Sequence, residues 1–288
     1  ACCNTACARN NNARNNSASR DRASSRNHGA RAAQACHAEA GCHAACICAC
    51  HNACARDDTA CNAPIDRYSR KSDHLASNMD LPVSPLAPER FPVLPKVGGI
   101  EITTHSLGLY KGKVRDDLLV VHFPNGASVG GIFTNSSTRS DDVDLCRANL
   151  KNGGGHARVL VVNTGNSNAF TGAAGIAKNR ATVASAVKMS GCKEGEVFIS
   201  ATGVIGEPMP PHIISGGVEK VWGQLGAPDW EKVANCIRTT DTFAKAAGEV
   251  VDLNRRNVAI VGVAKGSGMI QPNMATTLNY MFTDAALG

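Results

Sequence analysis

From Met79 onward, short apolar runs alternate with segments of helical periodicity. The runs rich in Val, Ile, Leu and Phe predict strands at 99–104, 118–123, 128–134, 158–163, 196–200, 248–253 and 257–264. The segments with an apolar stripe predict helices at 141–150, 173–190, about 209–225 and 229–238. Alternating strands and helices with several hairpins are typical of an α/β fold whose layers contain a mixed sheet.

Two of these strand predictions are specific enough to check. Pro124-Asn125-Gly126 lies between the runs 118–123 and 128–134, and Asn-Gly between two β-rich runs predicts a hairpin turn. The run Arg158–Asn163 is continuously apolar until its last residue. Such a strand is expected to be covered on both faces.

Residues 1–78 have a different composition, dominated by Ala, Asn, Arg, Cys and Ser. Among Leu, Ile, Val, Phe, Met and Trp they contain only Ile47, Ile65 and Leu75. A chain with so little apolar surface is expected to be disordered. We favour Met79 as the start of the natural protein, with 1–78 as upstream read-through; an Arg- and Ser-rich organelle transit peptide is the alternative.

Charge and cysteine usage restrict the class of protein. The chain has a net charge of +6, but nine arginines and one lysine fall within 1–78, outside the expected fold. Aromatic residues are also few, so a nucleic-acid surface is not expected. The sequence contains no run of about 18 apolar residues, so it predicts no membrane-spanning helix. Ten of the 13 cysteines lie at or before Cys61, and the Cys and His cluster at 42–54 lacks the two separated ligand pairs of a zinc site. The three scattered cysteines that remain favour a reduced, cytoplasmic protein, or an organelle protein if 1–78 are a transit peptide.

The segment Val263–Leu278 is the strongest candidate for chemistry. Lys265 precedes Gly266-Ser267-Gly268, which is the wrong spacing for a phosphate-binding Walker loop. The sequence has neither the nucleophile elbow of a hydrolase nor a His-Glu-x-x-His helix, and its histidines show no ligand spacing. The remaining candidate for chemistry is a hydroxyl nucleophile, that of Thr276. Cutting the bond between Ala275 and Thr276 would free the α-amine of Thr276, which could then act as the base for its own hydroxyl. On residue types alone, however, a buried strand threonine is the favoured interpretation.

Four segments change that interpretation. The segments are Asn163–Gly172, Ser200–Pro208, Arg238–Lys245 and Val263–Leu278. Together they resemble the bifunctional ornithine acetyltransferase family, also called glutamate N-acetyltransferase, and the resemblance extends from residue 79 to residue 288. Thr277 stands where the family usually has Met, and Ala244 where it usually has Pro. The resemblance implies a mixed-sheet layered sandwich and an acetyltransferase domain over 79–288. It also implies cleavage between Ala275 and Thr276, after which Thr276 accepts the acetyl group.

The same resemblance implies roles for other residues. Thr202 and Gly203 correspond to the family's oxyanion hole, and Thr239, Lys265 and Thr276 to its substrate contacts. The implied reaction carries acetyl from N-acetylornithine through acetyl-Thr276 to glutamate in two half-reactions. Some relatives also use acetyl-CoA as the acetyl donor, and the sequence leaves open whether this protein does. The resemblance implies no metal and no bound cofactor. The expected assembly is a heterotetramer of two α and two β chains, and the alternative function is a self-processing N-terminal-Thr aminopeptidase or amidase.

The chain departs from the family after the expected cleavage point. Only 13 residues, Thr276–Gly288, follow it, whereas the family has a substantial second chain there. We therefore interpret the sequence as a truncated family member, and an inactive fragment remains one of the expectations.

Overall fold

The structure is a computed structural model that describes residues 82–267 and 276–286. The predictions made for 1–78, including disorder, read-through and the unfavoured zinc cluster, lie outside the described residues. Ala275, on the acyl side of the expected cleavage bond, also lies outside them.

One sheet has four strands and mixed direction. Its strands, in spatial as well as sequence order, are β1 (Glu101–His105), β2 (Leu118–Ser128), β3 (His156–Asn163) and β4 (Val197–Ala201). The first two pairings are antiparallel and the pairing of β3 with β4 is parallel. The parallel pair places the carboxyl ends of β3 and β4 at the same edge of the sheet.

A second sheet is antiparallel throughout and consists of β5 (Lys245–Leu253), β6 (Arg256–Lys265) and β7 (Leu278–Thr283). Asn254 and Arg255 connect β5 to β6 with φ angles of 53° and 65°. Positive φ at both central residues is what a two-residue type I′ hairpin turn requires.

Four helices were predicted within the described residues, and all four are present. They are α1 (Asp141–Asn152), α2 (Gly172–Ser190), α3 (His212–Val221) and α4 (Trp230–Ile237). The last begins as predicted, because the Asp229 side chain accepts a hydrogen bond of 3.1 Å from the Lys232 backbone N–H. Helix α3 begins later than residue 209, since Pro210 and Pro211 disfavour helical backbone in the residue before each.

The side chains of β2 alternate between two apolar clusters. Leu118 and Val120 pack in a cluster with residues of α1, α2 and α3, whereas Leu119 and Val121 pack in a cluster with residues of α4, β6 and β7. Strand β3 also contributes to both clusters, which confirms the prediction that it is covered on both faces. The layers are therefore helices, mixed sheet, and α4 with the second sheet, which agrees with the expected α/β layered architecture.

The predicted hairpin at Pro124-Asn125-Gly126 is wrong. Strand β2 continues through this segment with an irregularity between His122 and Ala127, and then pairs again with β3 through Ala127 and Ser128. The positive φ of Gly126, 75°, is accommodated within this irregularity. Residues 129–136 form no strand, because β1 and β3 already occupy both edges of β2.

None of the helices in the described residues is long and apolar enough to cross a membrane.

Candidate active site

The loops that follow β3 and β4 pair with each other at one edge of the mixed sheet. The Thr202 backbone N–H donates to the Asn163 carbonyl at 3.0 Å, and the Val204 N–H donates to the Gly165 carbonyl at 3.2 Å. The Ser167 N–H returns a bond of 2.8 Å to the Val204 carbonyl. The two loops singled out in the sequence therefore form one backbone-paired unit, at the sheet edge where α/β proteins commonly bind ligands.

Gly203 lies at the tightest point of this unit. Its φ of 136° falls in the region that L side chains rarely adopt. A Cβ built on Gly203 would lie 2.3 Å from the Gly165 carbonyl carbon and 2.6 Å from the Asn166 nitrogen. Both the backbone conformation and the close approach of the other loop therefore require glycine.

Buried polar side chains hold both loops from inside. Lys178 Nζ donates to Asn163 Oδ1 at 3.3 Å, and Asn163 Nδ2 donates to the Asn166 carbonyl at 2.8 Å. The Ala201 N–H donates to the Asp142 carboxylate at 3.2 Å. Burial raises the pKa of Asp142 and lowers the pKa of Lys178, and the charge of each partly offsets the shift of the other. The sheet edge is thus rigidly supported by α1 and α2.

Lys265 reaches the same edge from the second sheet. It is the last residue of β6 and is 5% exposed. Its Nζ donates to Thr202 Oγ1 at 2.6 Å, across 63 positions of sequence. Burial lowers the pKa of the Lys265 ammonium, and the charge of Asp241 opposes this shift.

Asp241 fixes the backbone that follows Lys265. Its Oδ1 accepts a hydrogen bond of 2.9 Å from the Gly266 N–H and forms an ion pair with Lys245. Lys245 Nζ also donates to the Gly266 carbonyl at 3.0 Å. Both backbone polar groups of Gly266 are thereby held by one buried carboxylate and its lysine, and we call these three residues the Asp241 clasp.

Thr276 and Thr277 immediately precede β7, the strand that pairs with the end of β6. Because Lys265 is paired with Leu278 in the β6–β7 register, the two threonines lie at the same end of the second sheet as Lys265 and Gly266. A Cβ on Gly266 would lie 3.0 Å from Thr277 Cγ2, which shows how closely the two strands approach there. Both threonines are half-buried.

Comparison with known proteins decides the family. The model of the ArgJ family matches residues 101–288. This chain belongs to the ArgJ family. The chain is 45% identical to the arginine biosynthesis bifunctional protein ArgJ of Mesorhizobium japonicum over 214 residues, which are 73% of this chain and 50% of that protein. It is 44% identical to the ArgJ of Agrobacterium fabrum over 207 residues, which are 72% of this chain and 49% of that protein.

A solved ArgJ structure agrees with the fold. The crystal structure of ArgJ from Bacillus halodurans superposes with a TM-score of 0.56 at 28% sequence identity, covering 62% of this chain and 91% of that chain. The described residues therefore have the mixed α/β architecture of this family. The chain spans about half the length of the curated relatives it matches.

The structure brings some of the predicted site residues together. Thr202 and Lys265 are in direct contact, and Gly203 follows Thr202 in the paired loops. Thr239 is half-buried and lies two residues before the carboxylate of the Asp241 clasp. The catalytic and substrate-binding roles of these residues stay predictions.

The sequence interpretation missed Asp241 and Lys245 as parts of the site. A signal was present, since an acid within Thr239-Thr240-Asp241-Thr242 is followed by a lysine four residues later. That spacing alone is common on protein surfaces, and only the pairing of β5 with β6 brings Lys245 to Gly266.

Among the described residues, no group of three His, Cys, Asp or Glu side chains is placed to hold a metal ion.

Replacing Asp241 by asparagine is expected to destabilise the fold by about 1–3 kcal/mol near neutral pH, because a charge-assisted clasp is lost. Burial by itself would raise the pKa of Asp241, but Lys245 and the Gly266 N–H outweigh it and hold the pKa below its ordinary value of 3.8. The stabilisation is therefore complete above this value and is lost as the pH falls towards the lower pKa of the folded state.

Urea unfolding of wild type and Asp241→Asn at pH 7 and at pH 3 measures this effect. The difference between the two proteins should shrink at the lower pH. Asp144→Asn is the matched control, since Asp144 pairs with Arg139 on the surface with half of its side chain exposed, and it should cost less than about 1 kcal/mol. A difference between wild type and Asp241→Asn that grows on acidification would contradict the assignment.

Proposed function

We propose that this chain is the nucleophile-bearing part of a glutamate N-acetyltransferase, which moves an acetyl group from N-acetylornithine to glutamate. The observation that supports it best is the contact between Lys265 and Thr202, in an ArgJ-family chain whose Thr276 enters the same end of the second sheet. The relatives named above are called arginine biosynthesis proteins, which agrees with an acetylated amino acid as substrate.

In the first reaction, the chain cuts itself. The Thr276 hydroxyl oxygen attacks the Ala275 carbonyl carbon, the C–N bond between these residues breaks, and an ester forms as the nitrogen takes up a proton. Water then hydrolyses the ester, which leaves Ala275 as a carboxylate and Thr276 with a free α-amine. An α-amine has an ordinary pKa of about 7.7–8.0, so a useful fraction is neutral near pH 7 and acts as the base for its own hydroxyl.

In the second reaction, Thr276 attacks the acetyl carbonyl of N-acetylornithine. The negative charge that develops on the carbonyl oxygen is stabilised by the Thr202 hydroxyl and the Gly203 N–H. Collapse of this intermediate releases ornithine, which takes the proton, and leaves acetyl-Thr276. The amine of glutamate then attacks the ester carbonyl to give N-acetylglutamate and restore the hydroxyl.

Two further residues bind substrate in this proposal. The cationic Lys265 suits the carboxylate of an N-acetylated amino acid, and Thr239 supplies a hydroxyl to the substrate. Acetyl-CoA is proposed as a second acetyl donor, and a heterotetramer of two α and two β chains as the assembly after cleavage.

The test is an isotope-exchange assay with the full-length gene product. Labelled ornithine should be incorporated into N-acetylornithine without glutamate, because acetyl-Thr276 forms and returns its acetyl group to ornithine. Adding glutamate should then yield N-acetylglutamate and ornithine in equal amounts. Release of amino acids from short peptides, with no acetyl transfer, would instead support the aminopeptidase alternative.

Thr202→Val is expected to lower kcat of acetyl transfer about 10²–10³-fold, since it removes one oxyanion donor while nearly preserving shape. Thr202→Ser should recover much of this loss because it restores a hydroxyl. The matched control is Thr138→Val, which removes an exposed hydroxyl that contacts only its neighbourhood in the 136–138 turn and should leave kcat unchanged. Steady-state kinetics with N-acetylornithine checks all three variants, and equal kcat for wild type and Thr202→Val would remove Thr202 from the mechanism.

A further inference from the structure

The short contact between Lys265 and Thr202 has a consequence beyond substrate binding. We propose that Lys265 is a positioning residue for the oxyanion threonine, and that self-cleavage therefore needs Lys265 before any substrate binds. This inference rests on the proposed function, because it takes Thr202 as the oxyanion donor.

The hydrogen-bonding capacities of the two groups fix the direction of the bond. An ammonium has three N–H donors and no acceptor, whereas a hydroxyl has one O–H donor and two acceptor lone pairs. Lys265 Nζ lies 2.6 Å from Thr202 Oγ1, so Lys265 donates and occupies a lone pair of the hydroxyl oxygen. The Thr202 O–H must then point to a different acceptor, and a bond donated by a cation to its oxygen makes it a stronger donor.

The lysine is held in place by the chain alone. Lys265 is paired with Leu278 of β7, and the next residue, Gly266, is fixed by the Asp241 clasp. Thr202 is fixed from the other side, because its backbone N–H donates to the Asn163 carbonyl. Two rigid elements thus meet in this one hydrogen bond, which is the kind of preorganisation that stabilises a developing charge without rearrangement.

Self-cleavage separates this role from substrate binding. The attack of Thr276 on the Ala275 carbonyl passes through an oxyanion but involves no amino-acid substrate. A lysine that only binds the substrate carboxylate would change KM and leave cleavage untouched. A lysine that orients Thr202 would slow cleavage as well.

The decisive experiment follows cleavage of freshly synthesised full-length protein on denaturing gels over time. Lys265→Met is expected to slow the appearance of two chains about 10- to 100-fold, since misplacing a catalytic group by about 1 Å can cost about 10² in rate. Lys188→Met is the matched control, because Lys188 makes a surface ion pair with Glu219, has 67% of its side chain exposed, and should not affect cleavage. Cleavage of Lys265→Met at the wild-type rate would overturn the proposal.

A double-mutant cycle tests whether Lys265 acts through Thr202. Lys265→Met should have little further effect on cleavage in a Thr202→Val background, because the hydroxyl that it orients is already absent. Losses that simply multiply would show that Lys265 does not act through Thr202. Thermal melts show whether each variant is folded. If Lys265→Met does not fold, Lys265→Gln replaces it, since a glutamine amide keeps N–H donors but lacks the charge and should give an intermediate loss. Wild-type protein that never cleaves would contradict the proposed function itself, and with it this inference.

Discussion

Thr276→Ala is expected to leave the full-length protein as one chain on a denaturing gel and to reduce acetyl transfer below detection. Alanine offers no hydroxyl for attack on the Ala275 carbonyl, so no ester forms and no α-amine is freed. Thr276→Ser should still cleave, because it keeps the attacking oxygen. N-terminal sequencing of the smaller wild-type chain should begin at Thr276.

The adjacent threonine makes this experiment unusually well controlled. Thr277→Val removes a hydroxyl one residue away, close to Gly266 and just beyond the last β6–β7 pair, and should leave cleavage intact. Two chains from Thr276→Ala, or one chain from Thr277→Val, would move the nucleophile away from Thr276.

Gly203→Ala is expected to have the largest effect on both stability and activity among the loop glycines. The new Cβ would lie 2.3 Å from the Gly165 carbonyl carbon at a φ of 136°, so the two paired loops must separate. The backbone strain alone is of order 1–3 kcal/mol, and the steric overlap adds to it. We expect a lower melting temperature and a loss of kcat of about 10²-fold or more in the protein that still folds.

Gly216→Ala is the control for this substitution. Gly216 lies within α3, and apart from its chain neighbours and the backbone of the helix itself no heavy atom lies within 4 Å of a Cβ built there. Alanine in a helix should stabilise the protein by about 0.5–1 kcal/mol and leave acetyl transfer unchanged. Thermal melts and steady-state kinetics on both variants provide the measurements, and a Gly203→Ala protein with wild-type stability and kcat would contradict the close approach of the loops.

Local sequence was sufficient where the burial of a segment is simple. The run Arg158–Asn163 is covered on both faces, so its unbroken apolar pattern predicted a strand correctly. The Asp229 cap predicted the start of α4 for an equally local reason. Pro124-Asn125-Gly126 misled because its turn propensity was overridden by pairing of the following residues with β3, a partner about 30 residues away in the chain.

The candidate site shows the same division. The resemblance to a known family pointed to Thr202 and Lys265 separately, as oxyanion and substrate residues. That they touch depends on how the second sheet packs against the first, which no spacing in the sequence encodes. The Asp241 clasp was missed for the same reason, since the carboxylate binds a backbone N–H of Gly266, 25 positions away.

Pairing of β6 with β7 also determines what a cut at Thr276 would do to the molecule. The six residue pairs from Ile260–Thr283 to Lys265–Leu278 join the segment before the nick to the segment after it. Phe282 anchors the second segment, buried against Trp230 with ring centroids 5.4 Å apart. A cleaved protein should therefore migrate as one species under native conditions and as two chains under denaturing conditions, because the sheet holds the two segments together non-covalently.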